Sequence, residues 1–406
     1  MTRRSSSAGA PCMSSRSPPA TGALRTAPDT DKTEHPGELL RRAARPAAEP
    51  PSVRHGEAWN EVTSLATVHG LRPALIEFLS AIDWKSVPDP VRAELEEFQR
   101  WHLLRTLEIA DELAGVARAF QSHGIPFALF KGAAVSLQLY GRLAAREYND
   151  LDLIVPPADV ARAEALLSAR GYRPAFADPH FRRFFQGHQG QTALRREGGA
   201  VDLDLHWTFS GSFLPFPLRD REIWDRLTSV AVAGVDVPAL APADTVLLLA
   251  GHGTKEGWRS LMWLRDFAFA IERWRDLDWA ALHRRAGRNG CGDSVLLACA
   301  LAEQVLATPV PAALVQAVAT NQRVAALAAS LGERLREGNL DKRHLDDLAL
   351  CDRRIDRWRA GLGFALAPTP GDFDTLALPR ALWPAYYLLR PARLMAKAVR
   401  GTLPLP

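Results

Sequence analysis

The chain has 406 residues, 47% hydrophobic and 24% charged, which is apolar enough for two or three cores and too ordinary for a disordered chain, a collagen-like fibre or a coiled-coil rod. Its four cysteines, Cys12, Cys291, Cys299 and Cys351, contain no CxxC pair, and this argues against a disulfide scaffold or a zinc ribbon. The net charge of +4 comes from residues 1–28, where Arg3, Arg4, Arg16 and Arg25 stand without an acid, so the neutral remainder has no bulk attraction for nucleic acid.

Residues 1–52 are rich in Ser, Pro, Ala and Arg, lack an apolar period and read as a disordered tail. No secretory h-region and no long uncharged apolar stretch is present. A cytoplasmic protein with no membrane partner is the expectation. Residues 57–69 and 73–82 read as short helices, and Pro88 and Pro90 open a long one over about 90–122. Its stripe Ile109, Leu113, Val116, Phe120 fits one buried face, and His123-Gly124 stops it.

The pattern then changes. Residues 126–130 read as a strand, 133–140 as a helix, 150–155 as a strand and 158–170 as a helix closed by Gly171. Residues 191–196 and 200–209 read as a hairpin across Gly198-Gly199, and a further strand lies near 229–237. Phe181-Arg182-Arg183-Phe184-Phe185 mixes bases and aromatics as a nucleic-acid surface would, but reads better as a mobile loop. From Pro242 the chain is helical again, at about 242–254, 258–274, 278–288, 293–307, 311–336, 340–365 and 379–400.

Two strands carry the chemistry. Residues two apart in a strand share a face, so Asp150 and Asp152 sit side by side, as do Asp202, Asp204 and His206. Carboxylates held this close repel unless a cation lies between them. Hard oxygen donors suit Mg²⁺, which then engages substrate phosphates. Lys131-Gly132 upstream offers positive charge and a helix start. His206 is open to two readings, a ligand to a phosphate or carboxylate and a packed strand-end residue beside Trp207. His180, His188 and His206 have no zinc spacing. His252, Lys255 and Asp266, on two successive helices, read as structural ties or as the lining of an acceptor pocket.

At these residues the sequence resembles the bacterial uncharacterised nucleotidyltransferase family of the DNA polymerase β-like superfamily, which has antibiotic nucleotidyltransferases as relatives. The resemblance runs through Phe130-Lys131-Gly132, Leu139-Tyr140, Arg146, Asp150-Leu151-Asp152-Leu153, Gly171-Tyr172 and Asp204-Leu205-His206-Trp207. With Pro242, His252, Trp258, Trp263 and Asp266 it spans about 60–390.

The resemblance implies an α+β fold: a small mixed β-sheet core over 125–240, an N-terminal helical region over 53–124 and a large C-terminal helical region over 241–406, behind the 1–52 tail. It implies transfer of a nucleoside monophosphate from an NTP to an acceptor, with Mg²⁺ or Mn²⁺ held by Asp150, Asp152 and Asp204. Asp202 is the runner-up for the third place. Lys131, Gly132, Arg146 and His206 are the expected nucleotide contacts. Superfamily members usually carry Gly-Ser where this chain has Gly132-Ala133, and the gap to Asp150 is longer than usual. The acceptor is open, a small molecule or peptide being favoured over nucleic acid. Two alternatives stand beside it: a non-catalytic nucleotide- or partner-binding member, and a toxin-like transferase acting on tRNA.

Overall fold

The computed structural model describes residues 36–46, 53, 58–176, 178–196, 198, 201–337 and 351–399. It is a mixed α+β fold. A seven-stranded sheet is formed by β1 (Ala128–Leu129), β2 (Asp150–Ile154), β3 (Tyr172–Pro174), β4 (Gln191–Arg196), β5 (Asp202–His206), β6 (Thr228–Val232) and β7 (Val235–Ala239). Their order is β3-β4-β5-β2-β1-β7-β6. The β2/β5 and β1/β7 pairs are parallel and the others antiparallel.

Alternation along β2 and β5 decides the two faces. Leu151, Leu153, Leu203 and Leu205 are fully buried against Ile109, Leu113, Val116 and Phe120 of the long helix Asp89–Ser122. The opposite face carries the acids. Beyond them, Ala128, Phe130 and Ile154 join the core built by the helices Pro242–Lys255, Leu261–Arg273 and Gly292–Leu306. The sheet therefore lies between two apolar layers, and its polar residues gather at one end.

Several expectations are corrected. The disordered reading of 1–52 fails at Pro36–Ala44, a helix whose Leu39 and Leu40 are fully buried against Trp59, Val62 and Leu75. Most of that tail lies outside the described residues. The single strand near 229–237 is the β6/β7 hairpin, because Ala233 and Gly234 both take positive φ and close a two-residue turn.

The expected loop at 181–185 belongs to a helix, Pro179–Gln189. Asp178 caps it by accepting from the backbone N–H groups of His180 and Phe181, and Pro179 fills its first turn. Its Phe181 is fully buried against Phe373, Trp383 and Tyr386, so this aromatic packs rather than stacking on bases. The long helix at 311–336 divides at Asn321, whose side-chain oxygen caps Val324 N–H. The one at 340–365 is described only as Arg354–Leu366, and the one at 379–400 becomes a 3₁₀ turn, Arg380–Ala385, followed by the helix Tyr386–Val399.

Candidate active site

The parallel register pairs Asp150 with Asp202 and Asp152 with Asp204. Four carboxylates thus start on one face. They do not share one fate. Asp202 is exposed and pairs with Arg195 at 3.3 Å. Asp152 and Asp204 lie deeper, and with His206 they bring one donor atom each within 4.8 Å of one another. Asp150 flanks this group, half-buried like Asp204.

Lys131 and His206 both serve Asp152. Lys131 follows β1, whose antiparallel register with β2 carries it alongside the acids. Its Nζ donates to Asp152 Oδ1 at 3.1 Å. His206 Nε2 lies 3.0 Å from the same oxygen, and since a carboxylate only accepts, Nε2–H donates. Phe130 meets the imidazole edge-on at 4.9 Å and fixes its plane. The carboxylate-holding reading of His206 is the one the geometry carries.

Gly132 sits between strand and helix with φ 46°, and a Cβ there would meet the Tyr148 ring at 3.3 Å. Only glycine turns the chain here without strain. It opens the helix Ala133–Tyr140 beside Lys131.

The charges are unevenly settled. Burial pushes the Asp152 carboxyl up, but Lys131 and His206 beside it outweigh burial and hold it well below the usual carboxylate range. Asp204 lacks such partners. Burial, then the Asp152 and Asp150 charges, push it up to about 6. Its contact is Gln191, whose Nε2 donates to Oδ2 at 3.3 Å. Asp150 is raised by burial and by Asp152. His206 is lowered by burial, so it is neutral at pH 7. The cluster holds more negative charge than its own cations settle, and a hard dication would relieve it.

A model of a family described as uncharacterised nucleotidyltransferases matches residues 55–307, more than half of the chain. The chain belongs to this family of nucleotidyltransferases. A search of curated proteins finds no match. Among solved structures, a solution structure of the antibiotic-resistance factor ANT(2'')-Ia is similar at 14% identity, covering 44% of this chain and 89% of that one, with a TM-score of 0.31. A crystal structure of ANT(2'')-Ia with adenylyl-2''-tobramycin is similar at 16% identity, covering 55% of this chain and 97% of that one, with a TM-score of 0.26.

Arg146 lies near enough to feel the Asp152 and Asp150 charges, but its hydrogen bond goes elsewhere. It is buried, and its Nε donates to Asp266 Oδ2 at 2.7 Å. Asp266 is itself fully buried and also accepts from Tyr140 Oη at 2.7 Å. Arg265 stacks over the Tyr140 ring at 4.3 Å. The tie fixes the segment that leads into β2 onto the helix Leu261–Arg273. This network and Gln191 were not foreseen as a set: Tyr140 and Asp266 lie 126 residues apart, and nothing local marks Gln191. His252 packs edge-on to Trp263 at 5.2 Å, and burial, then Lys131 and Lys255, hold its ring well below the usual imidazole range.

Proposed function

We propose that this family member transfers a nucleoside monophosphate from a nucleoside triphosphate to an acceptor hydroxyl or similar nucleophile on a small molecule or peptide. The observation that carries the reading is the in-register pairing of β2 with β5, which sets Asp152 beside Asp204 with Asp150 on the same face. These donors are hard oxygens, and they fit Mg²⁺ or Mn²⁺ better than a soft metal. Asp150, Asp152 and Asp204 would hold the ion. Bound there, it would supply positive charge to the phosphate oxygens and to the charge that develops at the α-phosphorus.

The side chains divide the remaining work. His206 keeps Asp152 in one orientation. Lys131, which holds Asp152 here, would be free to turn its ammonium to the triphosphate. Gly132 and the helix start add backbone N–H groups, which need no hydroxyl at Ala133. Asp204 takes the proton of the acceptor hydroxyl. The acceptor oxygen bonds to the α-phosphorus, the bond from that phosphorus to the bridging oxygen breaks, and pyrophosphate leaves. Arg146 is a positioning residue in this scheme, because its guanidinium is committed to Asp266.

One observation favours a non-catalytic reading: Lys131 already neutralises Asp152 without a metal. Thermal melting with each of four nucleoside triphosphates, with and without Mg²⁺, separates the two. A ligand that binds only the native state raises the melting temperature. The expected result is a Mg²⁺-dependent rise with at least one triphosphate, lost in Asp150→Asn/Asp152→Asn. An equal rise in that variant assigns nucleotide binding without the metal site and removes the catalytic reading.

A further inference from the structure

The C-terminal helices expose an apolar surface that the fold does not use. The helix Arg354–Leu366 presents Ile355, Trp358, Leu362 and Leu366 to solvent, spaced three, four and four, which is one continuous stripe. Trp358 is 71% exposed. The helix Tyr386–Val399 packs beside it and presents Leu388, Leu389 and Met395, with Leu388 78% exposed. A surface helix ordinarily turns its apolar stripe inward. Here the inward positions are otherwise occupied: Asp356 and Ala360 on the first helix, and Tyr386 and Arg390 on the second, are buried.

The exposed charge in this region is mostly positive. Within residues 351–399 the exposed charged side chains are Arg353, Arg354, Arg359 and Arg380 against Asp374 alone. Asp356 and Asp372 are buried, and Asp372 is held by Arg390 at 3.1 Å and Arg393 at 2.8 Å. An exposed tryptophan among leucines, on a helix that also exposes Arg354 and Arg359, matches the boundary between acyl chains and anionic headgroups. A second copy on the same face would set arginine against arginine across a two-fold axis.

We propose that this face docks on the surface of an anionic phospholipid bilayer. Trp358, Leu362 and Leu388 enter the headgroup boundary, and Arg354, Arg359 and Arg380 meet lipid phosphates. The contact is peripheral, since no helix among the described residues is long and apolar enough to cross a membrane. The docked face is tied to the acids through the aromatic layer: His188 Nε2 lies 3.0 Å from Tyr387 Oη, and its helix leads through Gly190 to Gln191 beside Asp204. The proposal stands independently of the transfer reading.

Sedimentation of the full chain with extruded vesicles tests it, using phosphatidylcholine alone and with about 30% phosphatidylglycerol. The expected result is partitioning at least about tenfold stronger to the anionic vesicles, weakened in high salt. Trp358→Glu/Leu388→Glu is expected to reduce that partitioning at least about tenfold with an unchanged melting temperature, since both side chains are exposed. No sedimentation with anionic vesicles overturns the proposal, as does undiminished binding by the double variant. A dimer in sedimentation velocity that the double variant dissociates, without vesicle binding, assigns the face to a second copy and also overturns it.

Discussion

Asp204→Asn is expected to stabilise the metal-free protein at pH 7.5, while Asp152→Asn destabilises it. The two residues are register partners, and only their surroundings differ. Asp204 has its folded pKa raised to about 6 by burial and by the Asp152 and Asp150 charges. A raised folded pKa means that the native state holds the proton more tightly, so this contribution is full below the unfolded value near 4 and is lost as pH rises through about 6. Asparagine removes the cost. With a discount for partial exposure the gain is about 1–2 kcal/mol at pH 7.5 and vanishes near pH 4.

Asp152 has the opposite sign. Lys131 and His206 hold it below the carboxylate range, so its contribution is present above pH 4 and fades only in strong acid. Asparagine leaves the Lys131 ammonium without its partner and costs about 1.5–3 kcal/mol, the range for hydrogen bonds to charged groups. Urea unfolding at pH 5 and 7.5 reads both. Equal losses from the two substitutions would contradict the electrostatic account of the cluster. Both variants are also expected to weaken Mn²⁺ binding at least about 100-fold, because even the outer partners of metal ligands are worth about 10–100-fold.

Arg146→Met is expected to lower stability by about 3–5 kcal/mol, the cost of breaking a buried ion pair from one side. Asp266 is fully buried, and without Arg146 its carboxylate keeps the donated hydrogen bond of the Tyr140 hydroxyl but loses its cation. Arg146→Met/Asp266→Leu is expected to recover part of this loss, since no uncompensated carboxylate remains. If Arg146 instead served the triphosphate, the single variant would weaken nucleotide binding and leave the urea midpoint almost unmoved. The measured pair, midpoint and nucleotide affinity, separates a positioning residue from a phosphate ligand.

The acids were legible because period-two spacing is local. Asp150 and Asp152, and Asp204 and His206, show their shared faces within five residues each. The β2/β5 register is not local, and it is what sets Asp204 beside Asp152, whereas Asp202 is exposed beside Arg195. The Arg146 tie is hidden for the same reason. A lone arginine before an acidic strand reads as a phosphate contact, and its partner Asp266 is 120 residues away. The helix Pro179–Gln189 carries local signals at both ends: Asp178-Pro179 is a cap followed by a first-turn proline, and Gly190 closes the helix in the left-handed region. The aromatic run there reads as a mobile loop, whereas Phe181 packs on Trp383 and Tyr386 from the far end of the chain.

Anomalous diffraction from crystals grown with Mn²⁺ and a non-hydrolysable nucleoside triphosphate tests the central claim most directly. The expected result is a manganese peak at the Asp150, Asp152 and Asp204 carboxylates, with Lys131 moved from Asp152 to the phosphates. A nucleotide bound without a peak at these residues, with Lys131 still on Asp152, would contradict it.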